Sequence, residues 1–487
     1  MEYSASSIKT LLEHGFEKNL VDKIYVSKTI NAKDFLTHVR FDIAFKLLYL
    51  EMRSKDVKFA QKVYKEHIRA FSLGKFTEPG SEEKNNIEKF FEEFNNTFEN
   101  IRINGFDSRK TLIPLSKSGL IANGAHRIAS AIFLNKDVEC VDIGAYDQAY
   151  DYKYFYNRNV PKQDLDVAAI KFVEYADNTY IAFIWPTARG HDKKIERAIP
   201  NIVYRKEVRL NLNGAHNLLS QIYYGEDWLG TVKNNFAGAQ VKVMECFKTF
   251  EPVRVVVFQS ESLDEVFKIK ERIRDIFNVG KHSIHITDTK EEAIRVARVI
   301  FNDNGIHFLN YAKPNKYLAV HKKIAKYKEF LIKDKLNASD MVLGSGATLS
   351  IYGVREVIGL DYLLDGNNEL EYFNEEFEHC DDELKYHDKE KSELIYNAKN
   401  YFYFNDLKFI SFDQLYKMKK NRDNKGDISD LEIMEALLED NQYKKIVNRW
   451  KQGLYYSRAK LRQRVINLLK TIGLFDFVKK TIKDRQQ

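Results

Sequence analysis

The sequence predicts an α+β fold spread over several domains, and three observations carry that expectation. Its 487 residues exceed what one core organises, at roughly 100–200 residues per domain. At 44% hydrophobic and 30% charged, it has enough apolar side chains for packed cores, which excludes a wholly disordered chain. The patterning also changes along the chain, from helical periods to short strand-like runs and finally to a basic tail. Four segments are expected: residues 1–150, 151–315, 316–440 and 441–487.

Residues 33–71 read as one or two helices, with Phe35, Phe41, Ile43, Leu47, Leu48 and Phe59 at three- and four-residue intervals. A further helix is expected over 81–99, opening at Ser81 and repeating Phe90, Phe91, Phe94 and Phe98. TLIPL, GLIANG and VECVDIG then read as strands bounded by Gly, Ser and Asn. A Tyr/Asp-rich connection over 150–177 ends in a helix, and Tyr180–Trp185 opens a second α/β block reaching about residue 312. Within that block, Pro252–Phe258 is a candidate central strand, followed by helices over Leu263–Phe277 and Lys290–Phe301. A helical link, HKKIAKYKEFLIKDKL, leads to a third block from Ala338 to about Leu438. No repeat of solenoid period is present.

Several classes are excluded or disfavoured. No window offers the ~18 consecutive apolar residues of a membrane-spanning helix. The start, MEYSASSIKTLLEHGF, lacks signal-peptide features. Cys140, Cys246 and Cys380 are widely spaced, so neither a disulfide framework nor a zinc ribbon is expected. A cytoplasmic protein follows as the expectation. Net charge is +7, yet residues 443–487 alone carry +11, leaving the body at −4 and without a general nucleic-acid surface. In the tail, cations alternate with Trp450, Leu454, Leu461, Val465, Leu468, Leu469, Ile472, Phe475 and Phe477. That spacing suits an amphipathic helix on an anionic membrane surface, at the inner membrane face. A helical hairpin packed on the body fits it equally, and RNA binding comes third.

The run Gly280-Lys-His-Ser-Ile-His285-Ile-Thr-Asp288-Thr precedes a helix, where backbone N–H groups and the helix dipole favour phosphate. With Arg272 upstream, it resembles the active-site signature of nucleoside diphosphate kinases. His285 falls on the histidine that family phosphorylates and Asp288 on its aspartate, while His282 replaces an Asn and Ile286 a Gly. Tyr180–Ala188 resembles the family's first strand and turn, Tyr223 or Tyr224 falls near its tyrosine, and Pro252 matches the start of a later strand. About 130 residues are covered in the same order. The resemblance implies a ferredoxin-like domain in which His285 relays phosphate and Arg272 and Arg274 stabilise charge. The family's phosphate-contacting lysine is Trp185 here, so Lys193, Lys194 or Lys206 is expected to compensate. A domain that kept the fold and binds ligand without turnover is the other reading. Zinc on His282, His285 and Asp288 fits poorly, because the spacing in a strand does not suit a tetrahedral site.

Gly119–Phe133 reads as strand, tight turn and helix, with Asn123, Gly124, His126 and Arg127 at a phosphate-attracting helix start. Over about 40 residues it resembles the ParB/sulfiredoxin superfamily, which grips nucleotide phosphates with such a turn. Arg127 making a merely local salt bridge is the alternative. No cysteine lies in the motif, so reductase chemistry is not expected, and no helix-turn-helix follows, so DNA is not an expected partner.

Met341-Val-Leu-Gly344-Ser345-Gly346, followed by a strand over Arg355–Leu364, resembles the nucleotidyltransferase fold. There Gly-Ser binds triphosphate and two aspartates hold Mg²⁺. Asp361 matches the second aspartate, Gly359 stands in place of the first, and Glu383, Asp381 or Asp382 is a candidate further metal ligand. The other readings are a sugar- or nucleotide-binding relic and an ordinary strand-end residue.

Together the blocks point to phosphate and nucleotide handling, with Mg²⁺ and ATP or another nucleoside triphosphate as expected cofactors and a small molecule as acceptor. The chain also resembles uncharacterised proteins of bacterial capsule and surface-polysaccharide loci. The leading expectation is therefore a phosphotransferase or nucleotidyltransferase acting on a sugar- or polyol-type substrate in surface polysaccharide biosynthesis. A non-catalytic nucleotide-binding scaffold and a toxin or defence nucleotidyltransferase acting on RNA are the alternatives. Homo-oligomerisation is compatible with all three.

Overall fold

The computed structural model describes the chain except residues 14, 79–83, 250, 358, 366–376, 425–426, 439–460, 462–463, 467 and 472–487. Three separate sheets organise it as an α+β protein of several parts. The first contains β1 (Glu2–Tyr3), β2 (Tyr25–Asn31), β3 (Ile113–Ser116) and β4 (Asp137–Ala145) in the order β1-β2-β4-β3. β2 runs antiparallel to β4, and β3 is parallel to β4 through the helix Ala125–Phe133.

Helices Asp42–Met52 and Val57–Phe71 occupy the segment expected to be helical, and the break between them has a local cause. Asp56 caps the second helix by accepting from the Phe59 amide at 3.0 Å. The next helix differs from expectation. It spans Ile87–Asn104, capped by Asn86 through the Lys89 amide at 3.0 Å rather than by Ser81, which lies outside the described residues. Its phenylalanine period is as read: Phe90, Phe94, Phe98 and Ile101 form the buried face.

The second sheet joins β5 (Thr179–Ile184), β6 (Ile202–Val208), β7 (Val253–Gln259) and β8 (Ile284–Ile286) in the order β6-β7-β5-β8, all antiparallel. Helix Asp192–Ala198 connects β5 to β6, and Leu263–Phe277 connects β7 to β8. Helices Leu212–Ile222 and Ala237–Cys246 are inserted between β6 and β7. Alternation along the strands splits the side chains between two cores. Ala182, Ile184, Val256, Phe258, Ile284 and Ile286 pack on Val266, Ile269 and Ile273 of the Leu263–Phe277 helix. Ile181, Phe183, Val253, Val255 and Val257 face the main core instead. β7 is buried on both faces, which is why, Arg254 apart, Val253–Phe258 reads as an apolar run.

The third sheet contains β9 (Met341–Leu343), β10 (Leu360–Leu364), β11 (Phe377–His379), β12 (Tyr401–Phe404) and β13 (Leu407–Ile410), ordered β11-β10-β9-β13-β12. The strand expected from Arg355 begins only at Leu360; Arg355, Glu356 and Val357 are not in a strand.

The helix Lys162–Tyr175, expected only as the end of a connection, is the hub of the molecule. Leu165, Ala168, Ala169 and Phe172 are wholly buried in the core shared by all three blocks. On its polar edge Lys171 pairs with Glu51 at 2.8 Å and Glu174 at 2.6 Å. Glu174 in turn holds Arg298 at 2.7 Å, and Arg298 lies 5.2 Å above the Tyr403 ring. Each charge is paired as it is desolvated, so this network fixes how the blocks seat on one another.

Most of the basic tail lies outside the described residues; of it, residues 461, 464–466 and 468–471 are helical. Among the described residues no helix is long and apolar enough to cross a membrane.

Candidate functional site

A cleft of about 870 Å³ opens beside β8 in the second block. β8 places Ile284 and Ile286 in the core beneath, so the intervening His285 points to the opposite face. There it sits across from Phe183 in register, with the Tyr223 ring edge-on at 4.9 Å. His285 Nε2 lies 2.8 Å from Glu292 Oε1, and both side chains are largely shielded. The other Glu292 oxygen accepts from the Asp288 amide at 2.9 Å. Burial pushes the Glu292 carboxyl up, but the bond from His285, its charge and the Asp288 amide more than offset this, leaving it below its ordinary value. An ionised carboxylate on Nε2 keeps the proton there, which leaves the Nδ1 lone pair unpartnered among the described residues.

Six of the residues singled out in this block converge on the cleft: His285, Asp288, Arg274, His282, Tyr223 and Tyr224. Arg274 Nε and His282 Nδ1 are buried without hydrogen-bond partners among the described residues. Burial and the nearby Lys242 hold His282 below its ordinary pKa. Arg272 is not in the cleft. It lies two positions from Arg274 on the same helix, so it faces elsewhere and pairs with Glu265.

Trp185 is wholly buried against Phe183 and Phe247 and takes no part in the cleft. The compensating cations are also not those expected. Lys206 is bound to Asp166 at 2.7 Å, and neither Lys193 nor Lys194 lines the cleft. Lys242, Lys270, Lys281 and Arg295 do. Lys270 pairs with Asp288 at 3.1 Å.

Sequence reasoning missed Glu292, although a signal was present. Thr289-Lys-Glu-Glu292 is a helix-capping pattern, and Thr289 does accept from the Glu292 amide at 3.1 Å. Lys270 shares the face of Arg274, four residues away on the same helix, whereas Lys242 comes from the inserted Ala237–Cys246 helix and only the tertiary fold brings it in.

In the first block, the turn before helix Ala125–Phe133 has the expected form. Gly124 sits at φ 94°, and a Cβ there would come within 2.8 Å of Ile113. The turn lines a cleft of about 420 Å³ that includes Asn123, Gly124, His126 and Arg127. Its anion-binding groups are occupied by the chain itself. Arg127 pairs with Glu13 at 2.7 Å, and Asn123 also donates to Glu13. His126 packs on Phe94 at 4.5 Å and bonds the Tyr64 hydroxyl at 2.7 Å, and burial holds it well below its ordinary pKa.

The third block repeats this arrangement. The Asp361 carboxylate accepts from the Ser345 amide at 2.6 Å, the Ser345 hydroxyl at 3.1 Å and the Gly346 amide at 3.1 Å. Gly344 permits that approach, since a Cβ would lie 2.5 Å from Asp361 Oδ2. Glu383 is ion-paired with Arg422 at 2.5 Å, and burial, then Asp361, raises its pKa. Both carboxylates are thus engaged elsewhere, so this pair does not fit a shared Mg²⁺. Among the described residues no three His, Cys, Asp or Glu side chains converge as metal ligands would.

Comparisons with family models, with curated proteins and with solved structures give no match to this chain.

Proposed function

We propose that the protein is a phosphotransferase whose relay is His285, passing phosphate from a nucleoside triphosphate to a small sugar- or polyol-type acceptor. The observation that carries this reading is the Glu292–His285 pair at 2.8 Å in an open, cation-lined cleft. In the first step Nδ1 attacks the terminal phosphorus, the bond to the bridging oxygen breaks, and the nucleoside diphosphate leaves. The proton stays on Nε2, and Glu292 offsets the positive charge that builds on the ring. In the second step an acceptor hydroxyl attacks the same phosphorus, the N–P bond breaks, its electron pair returns to Nδ1, and the hydroxyl proton passes to solvent. Arg274, Lys242 and Lys281 supply charge to the phosphoryl oxygens.

The strand order β6-β7-β5-β8, crossed by two connecting helices, supports the ferredoxin-like reading, and the helical hairpin before β7 supports the kinase-like one. The role in surface polysaccharide biosynthesis, at the inner membrane face, rests on the resemblance of the sequence. A second reading applies to the outer blocks. Carboxylates already seated at Arg127 and Ser345 favour nucleotide-binding relics there over further catalytic centres.

The test is labelling with γ-labelled ATP, GTP and CTP. Acid-labile, base-stable label is expected on the native chain, absent from His285→Ala and retained in Asn123→Ala/His126→Ala. Label that survives in His285→Ala, or no label on the native chain, refutes the relay.

A further inference from the structure

A second cavity of about 250 Å³ lies next to the His285 cleft, between the Leu212–Ile222 helix, the Ala319–Lys333 helix and the turn joining β12 to β13. From these observations we infer that it holds the acceptor, and that the acceptor is a small polyhydroxylated compound, a free polyol or monosaccharide. This assignment rests on the phosphotransferase reading above.

The two cavities share walls. Tyr224 and Arg295 line both. Tyr223 and Tyr224 follow the same helix, the first edge-on to His285 and the second 6.2 Å from Phe236 inside the smaller cavity. Arg295 lies three residues beyond Glu292 on the Lys290–Ile300 helix, a rise of about 4.5 Å. The wall that Arg295 shares between the two cavities thus starts about one helical turn from Glu292 along the same helix.

Size separates the two substrates. The larger cleft has room for a nucleotide, whereas 250 Å³ falls below the ~300 Å³ at which pockets for drug-sized molecules begin. Chemistry narrows the class. Tyr224, Phe236 and Phe404 give flat apolar faces, and Gln221 and Asn315 give carboxamides. Two polar atoms in the walls are buried without hydrogen-bond partners among the described residues: Asn315 Oδ1, an acceptor, and Arg295 Nε, a donor. Asn315 Nδ2 is already used, donating to Asn235 at 2.8 Å. A hydroxyl both donates and accepts, so one kind of group answers both vacancies. Aromatic faces against C–H surfaces and carboxamides against hydroxyls describe a sugar or polyol site.

The experiment is ligand-observed saturation-transfer NMR on the full chain with ribitol, glycerol and D-glucose, and adenosine as a comparison. Variants are Tyr224→Ala, whose side chain is exposed enough to spare the fold, Asn315→Ala and His285→Ala. Binding of at least one polyol or sugar is expected in the native chain and in His285→Ala. It should fall at least fivefold in Tyr224→Ala and in Asn315→Ala. Because His285→Ala abolishes the relay but should keep acceptor binding, failure of the pocket and failure of the relay read out separately. Absence of polyol or sugar binding, binding that both pocket variants leave unchanged, or adenosine binding with the same variant sensitivity overturns the assignment. As a second readout, Asn315→Ala, which lines the smaller cavity and not the His285 cleft, should form labelled His285 normally yet transfer the label to the bound polyol at least tenfold more slowly. Transfer at the native rate overturns it.

Discussion

Replacing Glu292 with Gln tests the relay most directly, because it changes charge while nearly preserving shape. In the native chain Glu292 accepts from His285 at 2.8 Å and from the Asp288 amide at 2.9 Å, with about 14% of its side chain exposed. Glutamine keeps an acceptor but loses the charge. A hydrogen bond to a charged group contributes about 1.5–3 kcal/mol against about 0.5–1.5 for a neutral one. The difference is about 1–1.5 kcal/mol, or roughly tenfold, and it falls on the step in which the ring becomes cationic. Phosphohistidine formation in Glu292→Gln should therefore slow by roughly tenfold in rapid-quench single-turnover labelling, with little change in nucleotide binding. The acid limb should change too. A carboxyl held below its ordinary value of 4.5 contributes fully above that pH and loses its contribution as pH falls through the lowered value. That loss should be visible in the native profile and missing from the variant. Labelling at the native rate, with an unchanged ring-nitrogen spectrum, refutes the orienting role of Glu292.

Two further perturbations follow from the same geometry. Glu13→Gln removes the charge that occupies Arg127 and Asn123, so pyrophosphate affinity measured by calorimetry should rise by about 1–2 kcal/mol, roughly five- to thirtyfold; unchanged affinity means the turn does not take anions. Lys408 is buried, donates to the Ser339 and Ile395 carbonyls at 2.6 and 2.7 Å, and burial pushes its amine down to about 7. The unfolded chain keeps that proton to about pH 10.4, so unfolding takes up a proton between the two values and stability contributed here rises with pH across that window. Lys408→Met should flatten the difference in urea midpoint between pH 7 and pH 9.5, and an unaltered difference would place the titration elsewhere.

Where local chemistry decided the structure, the sequence was readable. The Leu263–Phe277 helix begins at the Ser262 cap and falls where its acidic first turn indicates. β7 is central because four of its residues, Val255–Phe258, are apolar in a row and both faces are covered. The start of the Ile87–Asn104 helix was misread because Ser81 and Asn86 offer equal capping chemistry, and only the fold chooses between them. The same division runs through the site. His285 and Asp288 were legible from spacing before a helix, and Glu292 was legible in principle from the capping pattern. Arg272 could have been set aside, since residues two apart on a helix point in different directions. Lys242, the tyrosine edge and the Asn315 and Arg295 vacancies arise from packing between distant segments, which no local pattern encodes.

The three phosphate-attracting turns differ in what already occupies them, and that difference ranks the blocks. At Arg127 and at Ser345 the backbone and cations that would grip an anion are satisfied by Glu13 and Asp361. An incoming phosphate must displace a carboxylate there, and the displaced group then has to be rehydrated or paired again. Asp361 is the more committed of the two, because three donors converge on it and Gly344 is shaped to its approach. Glu13 is less so, being about 43% exposed and reaching in from a segment near the start of the chain. In the middle cleft Arg274 is likewise paired with Glu271 and Lys270 with Asp288, but Glu292 is placed differently. Glu292 engages Nε2 and stays off Nδ1, on a histidine that lines the open cleft. A carboxylate that fills an anion site competes with substrate, whereas one that orients a nucleophile assists it. On that distinction the proposed relay is assigned to His285 rather than to the outer turns, which take an anion only to the extent that Glu13 or Asp361 can be moved.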